Sequence, residues 1–302
     1  MSGPEECFAD VGRGVTLCYD QVGDADDPMI VLIPGLGQQL HSWHIELAET
    51  LADKGFSVMR IDNRDSGRST HMDYRPPKPL AMLRGGDHPR QYHLGDMARD
   101  TVGLLDVLGR REAHLVGVSM GGMIAQTVAA HYPGRVTTLT SIMSTTGGWR
   151  TGRPALSTMR RMLSARPALT RAEAMDRAES MFRHIGSHGF PFDKDHVRDI
   201  AADNWDRDPK AAAGIARQMA AITGSGDRSA ELRHIDVPTL VIHGDRDRMV
   251  HPTGGASTAR AIRGARLESI SGLGHDLPRP LWPTLVEMIA RHAGRTTPSE
   301  AS

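Results

Sequence analysis

Gly117-Val118-Ser119-Met120-Gly121 reads G-x-S-x-G, and its surroundings decide what the pattern is for. Ahead of it runs Ala113-His114-Leu115-Val116, apolar and short, as a buried strand would be. Behind it, Gly122 to Ala130 reads as a helix ended by Tyr132-Pro133-Gly134. A serine at so sharp a strand-to-helix turn takes a strained backbone that lifts its hydroxyl clear of the sheet. Glycine on either side lets the elbow close. In a chain with 32 glycines a chance match is the alternative, and the flanking strand and helix argue against it. Ser119 is a candidate nucleophile.

Such a serine needs a base, and the base needs an acid to orient it. Leu267-Glu268-Ser269-Ile270 leads into Ser271-Gly272-Leu273-Gly274-His275, a histidine in a glycine-flexed loop just past a strand. That setting distinguishes His275 among the chain's 15 histidines. For the acid, Thr239-Leu240-Val241-Ile242-His243-Gly244 forms a strand that opens into Asp245-Arg246-Asp247, where two aspartates compete. All of these fall at carboxyl ends of strands, where open α/β sheets gather their chemistry.

The elements that must hold these residues alternate. A hairpin, Phe8–Val11 with Val15–Gln21, precedes the strand Ile30–Ile33, which breaks into Pro34-Gly35-Leu36-Gly37. Then follow a helix over His44–Gly55, a strand over Ser57–Ile61 and a helix over Asp96–Leu108 leading to the nucleophile strand. Strand and helix in turn predict an α/β fold: a mostly parallel central sheet with helices on both faces. The long loop from His71 to Gln91 is expected to form a pocket wall. Between the strand Val136–Met143 and Thr239, only helical patterns occur. Leu156, Met159, Met162 and Leu163 share one face; Ala174, Met175, Ala178, Met181 and Phe182 another; Val197, Ile200, Ala201 and Trp205 a third; Ile215, Met219 and Ile222 a fourth. Thr170-Arg171-Ala172-Glu173 reads as a capping box. The organisation expected is a core of residues 1–144 and 233–295, a helical lid of 145–232 whose apolar faces pack on the core, and a disordered tail of 296–302.

At this point the chain resembles the α/β-hydrolase family. The resemblance places the acid three residues after the glycine of H-G-x-x-D, which is Asp247 in His243-Gly244-Asp245-Arg246-Asp247. It also makes the backbone N–H groups of Leu36 and Met120 the oxyanion hole, although Pro34 stands where the family usually has histidine. Asp62-Asn63-Arg64-Asp65-Ser66-Gly67-Arg68-Ser69-Thr70, Ser119 to Gln126, Gly272 to Pro278 and Gly189-Phe190-Pro191-Phe192-Asp193 look like the aclacinomycin methylesterase group, from about residue 8 to 292. That likeness implies a serine carboxylic-ester hydrolase with triad Ser119, His275 and Asp247 and no cofactor. The substrate it implies is a small-molecule ester, such as a methyl ester or lactone of a bulky polyketide-type molecule. Enol-lactonase, acyltransferase and perhydrolase chemistry share the same acyl-enzyme, and a non-catalytic ligand receptor is the rival outside enzymology.

Composition bounds the partners. Lys and Arg together number 36, as do Asp and Glu, so the net charge of +0 gives no overall field for nucleic acid or an acidic membrane. No apolar run approaches the ~18 residues of a membrane span. Met1-Ser2-Gly3-Pro4-Glu5-Glu6-Cys7 lacks a signal peptide's basic and apolar regions, so the expected location is the cytoplasm. Cys7 and Cys18 flank a hairpin turn; two free thiols are expected over a cross-strand disulfide. No metal-ligand spacing occurs, and His41 and His44 are expected beside the pocket.

Overall fold

The computed structural model describes residues 3–76 and 90–294; 77–89, within the long loop, and the 296–302 tail lie outside the described residues. The chain opens with β1 (Cys7–Asp10) and β2 (Thr16–Val22), then β3 (Met29–Ile33), α1 (Ile45–Ala52) and β4 (Ser57–Ile61). It continues through α2 (Leu94–Val107), β5 (Ala113–Val118), α3 (Met120–His131) and β6 (Val136–Ile142). Five helices come next: α4 (Leu156–Ser164), α5 (Arg171–Ile185), α6 (Lys194–Arg207), α7 (Ala212–Ser225) and the short α8 (Ser229–Leu232). The order closes with β7 (Thr239–Gly244), α9 (Thr253–Ala261), β8 (Arg266–Ile270) and α10 (Trp282–Gly294).

The strands form one sheet in the order β1-β2-β4-β3-β5-β6-β7-β8. The pairs β1–β2 and β2–β4 are antiparallel and the rest parallel. Alternate residues of β3 serve two apolar layers. Val31 and Ile33 face α2 and α3, while Ile30 and Leu32 face α1 and α10. Burial on both faces is why the parallel strands read as unbroken apolar runs. The winding reverses at β3, with β4 on one side and β5 on the other, and that switch opens a crevice at the strands' carboxyl ends.

The hairpin thiols are free, as expected, whereas the helical insertion departs from expectation in two details. Cys7 pairs with Tyr19 and Cys18 with Phe8, so the thiols point to opposite faces; both are free. The helical segment does lie between β6 and β7, but its apolar faces do not all pack inward. In α4 the buried residue is Thr158, while Leu156 and Leu163 face solvent. In α7, Arg217 and Gln218 are buried and Ile215 is exposed. The reason lies in the partners: α7 crosses the loop after β4, whose Asp65 carboxylate and Arg64 carbonyl demand polar company. Half of the expected capping box forms: Thr170 Oγ accepts the Glu173 N–H, while Glu173 accepts from Leu169 N instead of Thr170 N.

Candidate active site

Ser119 follows β5 directly and caps α3, with φ 55° and ψ −117°. Positive φ at a residue bearing a Cβ is strained, and the surrounding packing holds it. A Cβ on Gly117 would strike the Gly121 backbone, and one on Gly121 would strike the Ile33 carbonyl. Both glycines are therefore demanded by the elbow.

His275 arrives from the loop after β8. Its Nε2 lies 3.0 Å from Ser119 Oγ and its Nδ1 2.7 Å from Asp247 Oδ2. A carboxylate only accepts, so Nδ1 carries the proton and Nε2 presents a lone pair to the serine hydroxyl. Asp247 Oδ1 accepts the N–H groups of Met249 and Val250 at 2.8 Å each, which fixes the carboxylate in the imidazole plane's reach. Between the two aspartates the geometry is plain. Asp247 is buried and faces His275, whereas Asp245 is exposed and accepts Gly272 N–H at 2.7 Å. Asp245 thus pins the loop that carries His275 without touching the ring.

Sequence reasoning passed over His243 as a functional neighbour. It is buried, and its Nε2 donates to the Val250 carbonyl at 2.9 Å while lying 3.5 Å from Asp247 Oδ2. Burial holds this imidazole below its ordinary pKa, so it stays a neutral donor behind the acid. Position i−4 to an aspartate, at the end of a buried strand, was the available signal.

The loop Pro34-Gly35-Leu36-Gly37, expected to form an oxyanion hole, lacks the family's histidine but is braced by other side chains. Asn63 Nδ2 donates to the Pro34 carbonyl at 3.1 Å, and Gln218 Oε1 from α7 accepts Gly37 N–H at 2.9 Å. Gly37 takes φ 64°, and a Cβ there would meet Ile215 Cγ1 at 2.7 Å. Gly35 lies against Ser119: a Cβ at that position would sit 3.4 Å from the serine Cβ. Leu36 and Met120 N–H groups have no acceptor among the described residues, which leaves them open to a ligand oxygen.

The helical insertion grips this site at two places. Arg207 of α6 pairs with Asp62 and Arg217 of α7 pairs in a fork with Asp65, so both aspartates of the D-x-R-D stretch anchor inserted helices. At the other end, the turn after α5 clasps the His275 loop. Ser187 N–H and Oγ–H both donate to Asp276 Oδ1, and Ser187 Oγ accepts Gly274 N–H at 2.9 Å. His275 N–H donates to the Ile185 carbonyl at 2.8 Å. Burial raises the Asp276 pKa, and the two Ser187 donors oppose that rise. His41 and His44 line a hollow of about 510 Å³ beneath α6, apart from the triad residues. Among the described residues no three metal-ligating side chains gather.

A family model described as the α/β-hydrolase fold matches residues 28–278. The chain belongs to the α/β-hydrolase family. Among its named relatives, rhodomycin D methylesterase of Streptomyces sp. (strain C5) is 31% identical, across 94% of this chain and 96% of that protein. A 3-oxoadipate enol-lactonase of Acinetobacter baylyi is 28% identical across 78% and 77%. Among solved structures, the enol-lactonase of Burkholderia xenovorans LB400 superposes with TM-score 0.71 at 20% identity, covering 95% of this α/β hydrolase and all of its own chain. As the sequence motifs imply, the likeness extends to the methylesterase group.

Proposed function

We propose that this α/β hydrolase is a serine carboxylic-ester hydrolase working through an acyl-enzyme on a methyl ester or lactone of a bulky molecule. The observation that carries the reading is the unbroken hydrogen-bonded line Ser119–His275–Asp247. Ser119 Oγ attacks the carbonyl as His275 Nε2 takes its proton, and Asp247 stabilises the imidazolium that results. Charge developing on the carbonyl oxygen is met by the Leu36 and Met120 N–H groups, aided by the amino end of α3. His275 then protonates the leaving alkoxide, and a water that it deprotonates frees the acid. Apart from the ester and that water, each step uses only groups of the chain, so the proposed reaction calls for no cofactor.

The ester class is supported by the named methylesterase relatives, and lactones, being cyclic esters, by the enol-lactonase among them. Residues 145–232 act in this reading as a lid that selects the ester, because they enter above the strand ends where Ser119 stands. Among the described residues no helix is long and apolar enough to cross a membrane. A screen of p-nitrophenyl esters of increasing acyl length, beside bulky methyl esters and lactones, tests the proposal. Hydrolysis of the bulky methyl esters or lactones is the expected result. Turnover confined to peroxide or to acyl transfer onto an added alcohol would instead assign another attacking group.

A further inference from the structure

The start of the insertion is built unlike the rest of the molecule. From Trp149 to Ala172 the chain holds six arginines (Arg150, Arg153, Arg160, Arg161, Arg166 and Arg171) and no carboxylate. Zero net charge conceals this, because the balancing acids lie further along the insertion, from Glu173 to Asp208. Arg171 pairs with Asp206, and Arg161 shares a hollow with Asp176 and Glu179. Arg153, Arg160 and Arg166 are exposed, and among the described residues they form no ion pair. Arg150 lies over the Trp149 ring at 4.6 Å.

The same stretch exposes its large apolar groups. Trp149 is 70% exposed, Leu156 78%, Leu163 77% and Leu169 79%. On α4 the polarity is inverted. Thr158, bonded to His184 Nε2, faces the protein, while Leu156 and Leu163, seven residues apart, lie together on the opposite side with Arg160 beside them. A helix that buries its threonine and presents leucines gains nothing from the core for that stripe. A leucine stripe on α4 flanked in sequence by exposed tryptophan, leucine and arginine has the composition of a segment lying in a lipid interface.

We propose that residues 149–171 form a docking face for an anionic lipid surface, with Trp149, Leu156, Leu163 and Leu169 entering the headgroup boundary and Arg153, Arg160 and Arg166 meeting lipid phosphates. A second copy of the chain fits this face poorly, because a two-fold contact sets the same arginines against one another. Exposed Arg248, whose carbonyl accepts Ala155 N–H, adds to the positive rim. The inference stands apart from the esterase reading, since binding is measured without turnover.

Co-sedimentation of the full chain with vesicles of phosphatidylcholine carrying about 30% phosphatidylglycerol tests it. The expected result is binding at low salt that falls at least tenfold on pure phosphatidylcholine vesicles. The variant Arg153→Gln/Arg160→Gln/Arg166→Gln should bind about 100-fold more weakly, at roughly fivefold per charge near the surface. Leu156→Ser/Leu163→Ser should lose at least tenfold with every arginine in place. Arg160→Gln, a single change at an exposed position, should lose about fivefold, and all variants should melt with the parent. No binding by the parent, binding indifferent to phosphatidylglycerol, or undiminished binding by the double serine variant would each overturn the proposal. So would a lipid-free dimer that the leucine changes dissolve, which would give the face to a second copy.

Discussion

At the level of single residues, the proposed nucleophile, base and acid, Ser119, His275 and Asp247, form one hydrogen-bonded line, and each should fail in its own way. Ser119→Ala should cut turnover by about 10⁴-fold or more with the melting temperature unchanged, since the hydroxyl contributes through chemistry. Asp247→Asn should cost several orders of magnitude, because an amide N–H facing His275 Nδ1 favours the wrong tautomer. Asp245→Asn should cost no more than about tenfold, because Asp245 only holds the Gly272 turn. Steady-state kinetics on one soluble ester compares all three, and greater damage from Asp245→Asn would reverse the assignment. Ser119 and His275 were legible from a turn pattern and two glycines. The choice of Asp247 over Asp245 needed the family's spacing, because both aspartates leave the same strand end. His243 was not legible as the acid's neighbour, because its burial against Val250 depends on how the loop folds back.

Among elements, the inserted helices reach the candidate site through polar groups, while Ala221 and Ile222 of α7 join the apolar layer beneath. The sheet and its flanking helices could be read because two-faced burial writes continuous apolar strands. The face of α4, and Ile215 on α7, were misread because periodicity shows that a stripe exists, not which way it points; Ile222 on the same α7 stripe does pack on the core. Arg217 and Asp65 form a buried fork, so Arg217→Met should destabilise by about 3–5 kcal/mol, leaving Asp65 without its cation. Adding Asp65→Asn should recover part of that loss in a denaturant titration, since the stranded charge is then gone. The clasp on the His275 loop predicts a different signature. Ser187→Ala should lower kcat by about tenfold on small and bulky esters alike, as it loosens the loop that carries the base. Ile215→Ala, beside Gly37, should instead shift the preference among bulky esters by ~1–3 kcal/mol and spare a small acetate. Equal losses on both esters for Ile215→Ala would mean that α7 is scaffolding only.

For the molecule as a whole, acid stability and the site's reactivity are separable. His114 in β5 is buried, bonded to Thr138 Oγ1, and held down to about 4 by burial with a smaller contribution from His292. The unfolded chain takes that proton near ~6.5, so the native state is favoured above ~6.5 and loses ground as pH falls towards 4. The loss should approach about 3 kcal/mol at the acid end, and His114→Gln should flatten that part of a stability-against-pH curve. The central claim is that packing at the elbow and the His275–Asp247 pair make Ser119 alone a reactive nucleophile in a chain of many serines. Fluorophosphonate labelling of the native chain, followed by peptide mass spectrometry, tests it most directly. The account predicts one modified residue, Ser119, with labelling abolished by denaturation and strongly slowed in an Asp247→Asn variant. A native chain left unlabelled, or labelled elsewhere with Ser119 intact, would contradict it.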